Sequence, residues 1–158
     1  ELNKTVSVTT RKPRKNNEVD GKDYYFISKD EFYEYQLNEQ LLEYNIYNGE
    51  YYGTLHSEID KYPTDKPLIL VIDTTGRRSV LSHFPLTTTI FIQSPSADEL
   101  RKRIESRCEN TEEEIEERLK TAIKEMEEAR YYDYVLVNDN VQECTKQIKE
   151  IINHNVVL

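Results

Sequence analysis

LILVIDTTG, residues 68–76, decides the fold. Leu68 to Ile72 form an apolar run of the kind buried on both faces of a parallel sheet, and the run ends in a carboxylate, Asp73. TTIFIQ (88–93) and YVLVND (134–139) repeat the pattern, and helical patterns follow each run. Strands alternating with helices predict an α/β domain built on a parallel sheet. Open sheets of that kind bind ligands beyond the carboxyl ends of their strands, which is where Asp73 falls.

The remaining elements follow from local signals. Ser28-Lys-Asp-Glu31, Ser96-Ala-Asp-Glu99 and Thr111-Glu-Glu-Glu114 have the spacing of capping boxes. They open helices expected to about Gln40, over about 97–107 and over 112–130. Residues 5–10 alternate and are β-branched, so they predict a strand, as does DYYFI (23–27). LLEYNIYNGEYYG reads as two strands around the hairpin pair Asn48-Gly49. Thr54 is expected to cap a short helix to about Lys61, before Pro63. A helix after Asp73 should reach about Phe84, and the last should run from about Val141 to Asn153.

The chain has 158 residues, 37% hydrophobic and 32% charged, which suits one soluble domain. A net charge of −9 argues against a broad nucleic-acid surface but not against one small anion on a local arginine cluster. No apolar run approaches the ~20 residues of a membrane span, and no signal peptide is evident. Cys108 and Cys144 read as reduced thiols of an intracellular, cytoplasmic protein. His56, His83 and His154 are scattered, and no metal site is expected. The first residue is Glu1, which fits a processed chain or a piece of a longer one.

VSVTTRKPR (6–14) places Arg11 and Arg14 behind a strand of small hydroxyls, a pattern suited to holding a phosphate. With EVDGKDYYF (18–26), LLEYNIYNGEYYGT (41–54), LVIDTTG (70–76), RKRIESR…EERL (101–119) and YDYVLVND (132–139), it resembles the guanylate kinase family from about Lys4 to Ile152. The acidic, Tyr-rich style is also similar to truncated poxvirus homologues of that family.

The resemblance implies a P-loop-kinase-like parallel sheet flanked by helices. It also implies a small β-rich GMP-binding subdomain at about 16–62 and a helical lid with its following helix at about 97–130, all within one domain. Arg11 and Arg14 match the residues that hold the GMP phosphate, and Tyr24 and Tyr52 add hydroxyl donors. Glu43 matches the guanine-reading carboxylate, with Ser7, Gly53 and Thr54 beside it and Asp73 as an acidic substrate-site residue. Arg103, Arg107 and Arg118 match lid arginines, although helix ion pairing is an equal reading of them.

Departures concern the other substrate. The four glycines, Gly21, Gly49, Gly53 and Gly76, are never five apart, so these residues contain no G-x-x-x-x-G-K-[ST] loop. Val71 stands where the family usually has an acidic residue, Thr75 where it has Gln, and Cys108 where it has Gly. The expectation is therefore a GMP-binding half lacking the P-loop and the strand before it, inactive or very weak in phosphoryl transfer. ATP and Mg2+ would bind only if a P-loop segment were supplied. Two alternatives stand beside this. One is an active guanylate kinase whose N-terminal P-loop segment lies outside these residues. The other is an interaction module that binds a phosphorylated protein in the old GMP cleft. Vacated sheet edges make a homo-oligomer plausible. The tail Val156–Leu158 is expected to fray, with pairing beside the vacated strand position as the alternative.

Overall fold

A computed structural model describes residues 2–14, 18–63, 66–107 and 111–155, with Arg107 described by its backbone only. The Val156–Leu158 tail lies outside the described residues, as does Cys108. The chain divides into two compact units, Glu1–Thr87 and Thr88–Leu158, each with its own strands and helices. Together they form a mixed α/β fold.

The first unit is organised around a four-stranded sheet of order β3-β2-β5-β4, with β2 at Val8–Thr9, β3 at Tyr25–Phe26, β4 at Leu41–Tyr47 and β5 at Glu50–Leu55. β4 and β5 are antiparallel, and the two-residue turn between them has φ of 50° at Asn48 and 73° at Gly49. Those two left-handed residues match the twist of the strands they join. β2 runs antiparallel to β5 and parallel to β3. Helix α1 (Lys29–Leu37) starts on Ser28, whose Oγ accepts the Glu31 N–H at 3.1 Å. It ends three residues earlier than expected for a local reason. Glu39 turns left-handed (φ 53°), and the Gln40 and Glu39 N–H groups return to the carbonyls of Tyr35 and Gln36, the hydrogen-bond pattern that closes a helix. Phe32 is the buried residue of α1 and, like Val8, Leu42 and Val80, is one of the core residues of this unit.

Three expectations are corrected here. The strand expected over residues 5–10 shrinks to β2, and a separate strand, β1 (Asn3–Lys4), precedes it, because the chain leaves one partner for another: β1 pairs with β6 (Leu68–Ile69) and β2 with β3 and β5. LILVID is not a six-residue buried strand. β6 covers Leu68–Ile69, since β1 offers only two residues to pair with, and Val71 is 69% exposed. Thr54 does not cap the helix after it. It lies within β5, its hydroxyl is spent on Glu43, and Leu55 precedes α2 (His56–Asp60) without a side-chain cap.

In the second unit β7 (Ile90–Gln93) and β8 (Tyr134–Val137) form a parallel pair. Ile92, Val135 and Val137 are 44–49% exposed, so these strands are not buried on both faces as their composition suggested. Thr89 and Asp133 tie the two strand starts together: Asp133 Oδ2 accepts from the Thr89 N–H and hydroxyl at 2.8 and 2.7 Å. Helices α4 (Ala97–Arg107), α5 (Glu112–Glu128) and α6 (Val141–Asn155) complete the unit. The capping box at Thr111 is reciprocal, whereas Ser96 caps in one direction, accepting from Glu99 N–H. Ile115 and Cys144 are buried there.

Candidate functional site

The register of the four-stranded sheet gathers the candidate residues of the first unit. Glu43 pairs with Thr54, Asn45 with Tyr52, and Thr9 with Tyr52 from the other side. Side chains two apart share a face of a strand, so Glu43, Asn45, Tyr52 and Thr54 line one surface. A bulge between Leu41 and Glu43 sets this phase. It lets two successive residues, Leu42 and Glu43, both be buried, and bulges commonly re-aim a side chain in this way.

At one end of that surface lies a carboxylate with an ordered set of donors. Glu43 is 6% exposed, and Thr54 donates to its Oε1 at 2.6 Å. The Ser7 and Thr54 hydroxyl oxygens are 3.4 Å apart. The single Thr54 proton points to Glu43, so Ser7 is the donor in that contact. Burial pushes the Glu43 carboxyl above its ordinary range; the Thr54 hydrogen bond opposes the shift and the nearby Asp73 charge adds to it. Asp73 caps helix α3 (Thr74–His83), its Oδ1 accepting the Gly76 N–H at 2.7 Å, while Asn45 Nδ2 donates to its Oδ2 at 2.5 Å.

Two glycines make this packing possible. A Cβ on Gly53 would stand 2.8 Å from the Glu43 carbonyl oxygen, so Gly53 permits the close approach of β4 and β5. A Cβ on Gly76 would stand 2.6 Å from Glu43 Oε2 and 3.2 Å from Ile72 Cβ. Gly76→Ala is therefore expected to push the Glu43 carboxylate off Thr54. The overpacking cost of ~1–3 kcal/mol exceeds the ~1 kcal/mol that alanine gains in a helix. Denaturant unfolding checks it, and a variant more stable than the parent would show that Glu43 yields freely.

At the other end is a cationic and aromatic cluster. Thr9, fully buried, accepts the Arg11 N–H through Oγ1 at 3.2 Å and donates to the Tyr51 carbonyl at 3.0 Å, which fixes where the chain leaves β2. The Arg11 guanidinium carbon lies 5.4 Å from the Tyr24 ring centre and 5.7 Å from that of Phe26. The Tyr24 and Tyr52 rings meet edge to face at 6.1 Å, and Tyr52 also contacts the guanidinium through its hydroxyl. Tyr24 is held by a turn built from side chains: Asp23 accepts from Val19 N–H, Asp20 accepts from Phe26 N–H, and Gly21 takes φ of 74°. Arg14 is more exposed.

The fold thus brings together Ser7, Glu43 and Thr54, with Asp73 of the α3 cap near them, as one group and Arg11, Tyr24 and Tyr52 as another, around the four-stranded sheet. Arg103 and Arg118 belong to the second unit, in α4 and α5. Arg103 Nε donates to Glu99 one turn earlier at 3.0 Å, the ion-pair geometry weighed for it above. Arg101, not a candidate, links Glu105 of its own helix to Glu112 and Glu116 of α5. The Arg107 side chain lies outside the described residues. Among the described residues no three His, Cys, Asp or Glu side chains gather to hold a metal ion, and no helix is long and apolar enough to cross a membrane. Sequence reasoning passed over Asn45, Gly76 and Glu18. All three stood inside motifs quoted for other residues, and only tertiary contacts single them out.

The sequence model of the guanylate kinase family matches residues 2–155. The chain belongs to the guanylate kinase family. It is 37% identical over 156 residues to the guanylate kinase of Fusobacterium nucleatum, covering 98% of this chain and 84% of that protein. To the guanylate kinase of Bacillus cereus it is 43% identical over 149 residues, covering 94% of this chain and 72% of that one. Among solved structures, the crystal structure of guanylate kinase from Anaplasma phagocytophilum superimposes with a TM-score of 0.82 at 32% identity, covering 99% of this chain and 77% of that chain. These relatives are bacterial and lend no support to a poxvirus likeness.

Proposed function

We propose that this guanylate kinase family member binds GMP on the sheet surface between Arg11 and Glu43. We infer further that phosphoryl transfer from ATP needs a phosphate-cradling loop that these 158 residues do not contain. The observation that carries the first part is Glu43: a buried carboxylate whose Oε1 is held by one hydroxyl, with a second hydroxyl behind it. Guanine presents N1–H and a 2-amino group as parallel donors, and a carboxylate accepts both. Adenine offers no such pair, so it would leave the buried carboxylate unsatisfied, a penalty of ~1–3 kcal/mol. Arg11, Arg14, Tyr24 and Tyr52 supply forked and hydroxyl donors suited to a phosphate dianion.

Residues 16–62 would form most of the GMP subdomain, and residues 97–130 the lid carrying Arg103, Arg107 and Arg118 over the transferring phosphoryl group. Charge neutralisation and positioning of the donor phosphates supply nearly all the catalysis in phosphoryl transfer. The 158-residue polypeptide alone is therefore expected to bind GMP without forming GDP.

Calorimetric titration with GMP, with AMP as control and ATP–Mg2+ run separately, tests both parts. GMP is expected to bind and AMP is not. Equal binding of GMP and AMP, or none of either, would refute the base-reading role of Glu43. GDP formation at an ordinary kinase rate by these residues alone would refute the second part. A phosphoserine peptide that displaces GMP would instead favour a phosphoprotein-binding module, since the arginine cluster serves any phosphomonoester.

A further inference from the structure

Glu18 is the residue on which both candidate phosphate arginines converge. Arg11 Nη1 and Nη2 each donate to one of its oxygens at 2.9 Å. Arg14 donates its backbone N–H to Glu18 Oε2 at 2.6 Å and places Nη1 3.7 Å from Oε1. Arg11 Nη1 spends its other proton on the Lys12 carbonyl at 2.7 Å. A guanidinium has five N–H groups; Glu18 and Lys12 take three, and the Tyr52 hydroxyl touches the group as well. Nε and the Nη2 flank beside it form a second parallel fork on a different edge. Arg11 Nε is buried and has no hydrogen-bond acceptor. Buried donors without acceptors are rare in folded proteins and call for an explanation. A phosphate oxygen provides one once the Tyr52 hydroxyl and the rings beside the guanidinium make way for it.

We propose that Glu18 is a positioning residue for phosphate recognition: it grips the end-on edge of Arg11, so that the Nε–Nη2 edge is presented to the phosphate, and it stays in place when the phosphate binds. The inference rests on the GMP-binding reading above and adds to it a residue that touches no substrate. The rings of Tyr24 and Phe26 flank the guanidinium and limit its swing, which leaves rotation in its own plane as the freedom Glu18 removes. The Glu18 carboxyl is held below its ordinary range, chiefly by the hydrogen bonds from Arg11, so the grip persists at neutral pH. A carboxylate this close to the phosphate site could instead be a competitor that the ligand must displace. The orphan Nε argues against that, since a phosphate that took over the end-on edge would leave Nε unsatisfied.

The two readings predict opposite signs. Glu18→Ala is expected to weaken GMP binding about tenfold or more, the worth of one charge-assisted hydrogen bond, with guanosine binding unchanged. Glu18→Gln, which keeps one acceptor oxygen, should lie between Glu18→Ala and the parent. Tighter or unchanged GMP binding, in a variant that binds guanosine as the parent does, overturns the proposal. Should the alanine variant not fold, the parent protein decides through the NMR signal of the Arg11 Nε–H during titration with inorganic phosphate. A shift of that signal with the Glu18 carboxylate resonance unmoved supports the positioning role. Release of the Glu18 carboxylate to its solvent-exposed position, or a static Nε–H at saturating phosphate, overturns it. This arm uses phosphate alone, so a parent that binds neither GMP nor guanosine would sink the GMP reading while the Arg11–Glu18 geometry is still tested.

Discussion

Replacing Arg11 by alanine is expected to weaken GMP binding by two orders of magnitude or more while leaving the fold intact. Truncating one partner of a hydrogen-bonded charge pair costs about 2–5 kcal/mol, and each 1.4 kcal/mol is a factor of ten. Two losses combine here. The fork facing the phosphate goes, and the Glu18 carboxylate, bound by both Arg11 Nη atoms, is left facing a dianion. Arg11→Lys should recover part of the loss, since it restores the charge but not the planar fork. Guanosine binding should be nearly unchanged, because the hydroxyls and the carboxylate that read the base lie on Ser7, Thr54 and Glu43. Calorimetric titration of the three proteins with GMP and guanosine is the measurement. A loss smaller than about threefold for Arg11→Ala would mean that the phosphate is held elsewhere.

Phe32→Ala is expected to destabilise the first unit by about 3–5 kcal/mol, the usual range for emptying a buried phenylalanine site. Phe32 is fully buried, and its ring meets Tyr51 at 5.2 Å and Tyr44 at 6.3 Å between ring centres. It is the one buried residue of α1, so no other side chain of that helix compensates for its loss. Urea unfolding at fixed protein concentration, followed by tyrosine fluorescence, should show a lower midpoint. A change below about 1 kcal/mol would mean that α1 contributes little to the packing of the sheet. The outcome bears on the site, because Tyr51 neighbours Tyr52 on β5 and receives the Thr9 hydroxyl that sets the course of the chain into Arg11.

Features encoded within a few residues were legible in the sequence. The Asn48-Gly49 hairpin, the caps at Ser28, Ser96 and Thr111, and the alternation of strands and helices in the second half all follow from local backbone chemistry. The identities of the candidate site residues came from motifs, and the sheet then placed Ser7, Glu43 and Thr54 in one hydrogen-bonded chain. Strand extents were not legible, because a strand is as long as the partner beside it. LILVID has the composition of a buried strand, yet β1 pairs with only two of its residues. The bulge before Glu43 was equally hidden, since the registration of one strand against another leaves no mark within either.

The sequence by itself determined family membership, the helix starts and the residue types available to meet a phosphate and a base. These depend on side-chain chemistry and on interactions over three or four residues. Only the tertiary structure decided which of those residues act together. It gave the Thr54 hydroxyl to Glu43 instead of to a helix cap, placed Gly76 against the same carboxylate, and set Glu18 on the far edge of Arg11. Such assignments settle a competition among donors and acceptors distant in the chain. Burial decides it, because a polar group removed from water must take whichever partner the packing brings within reach.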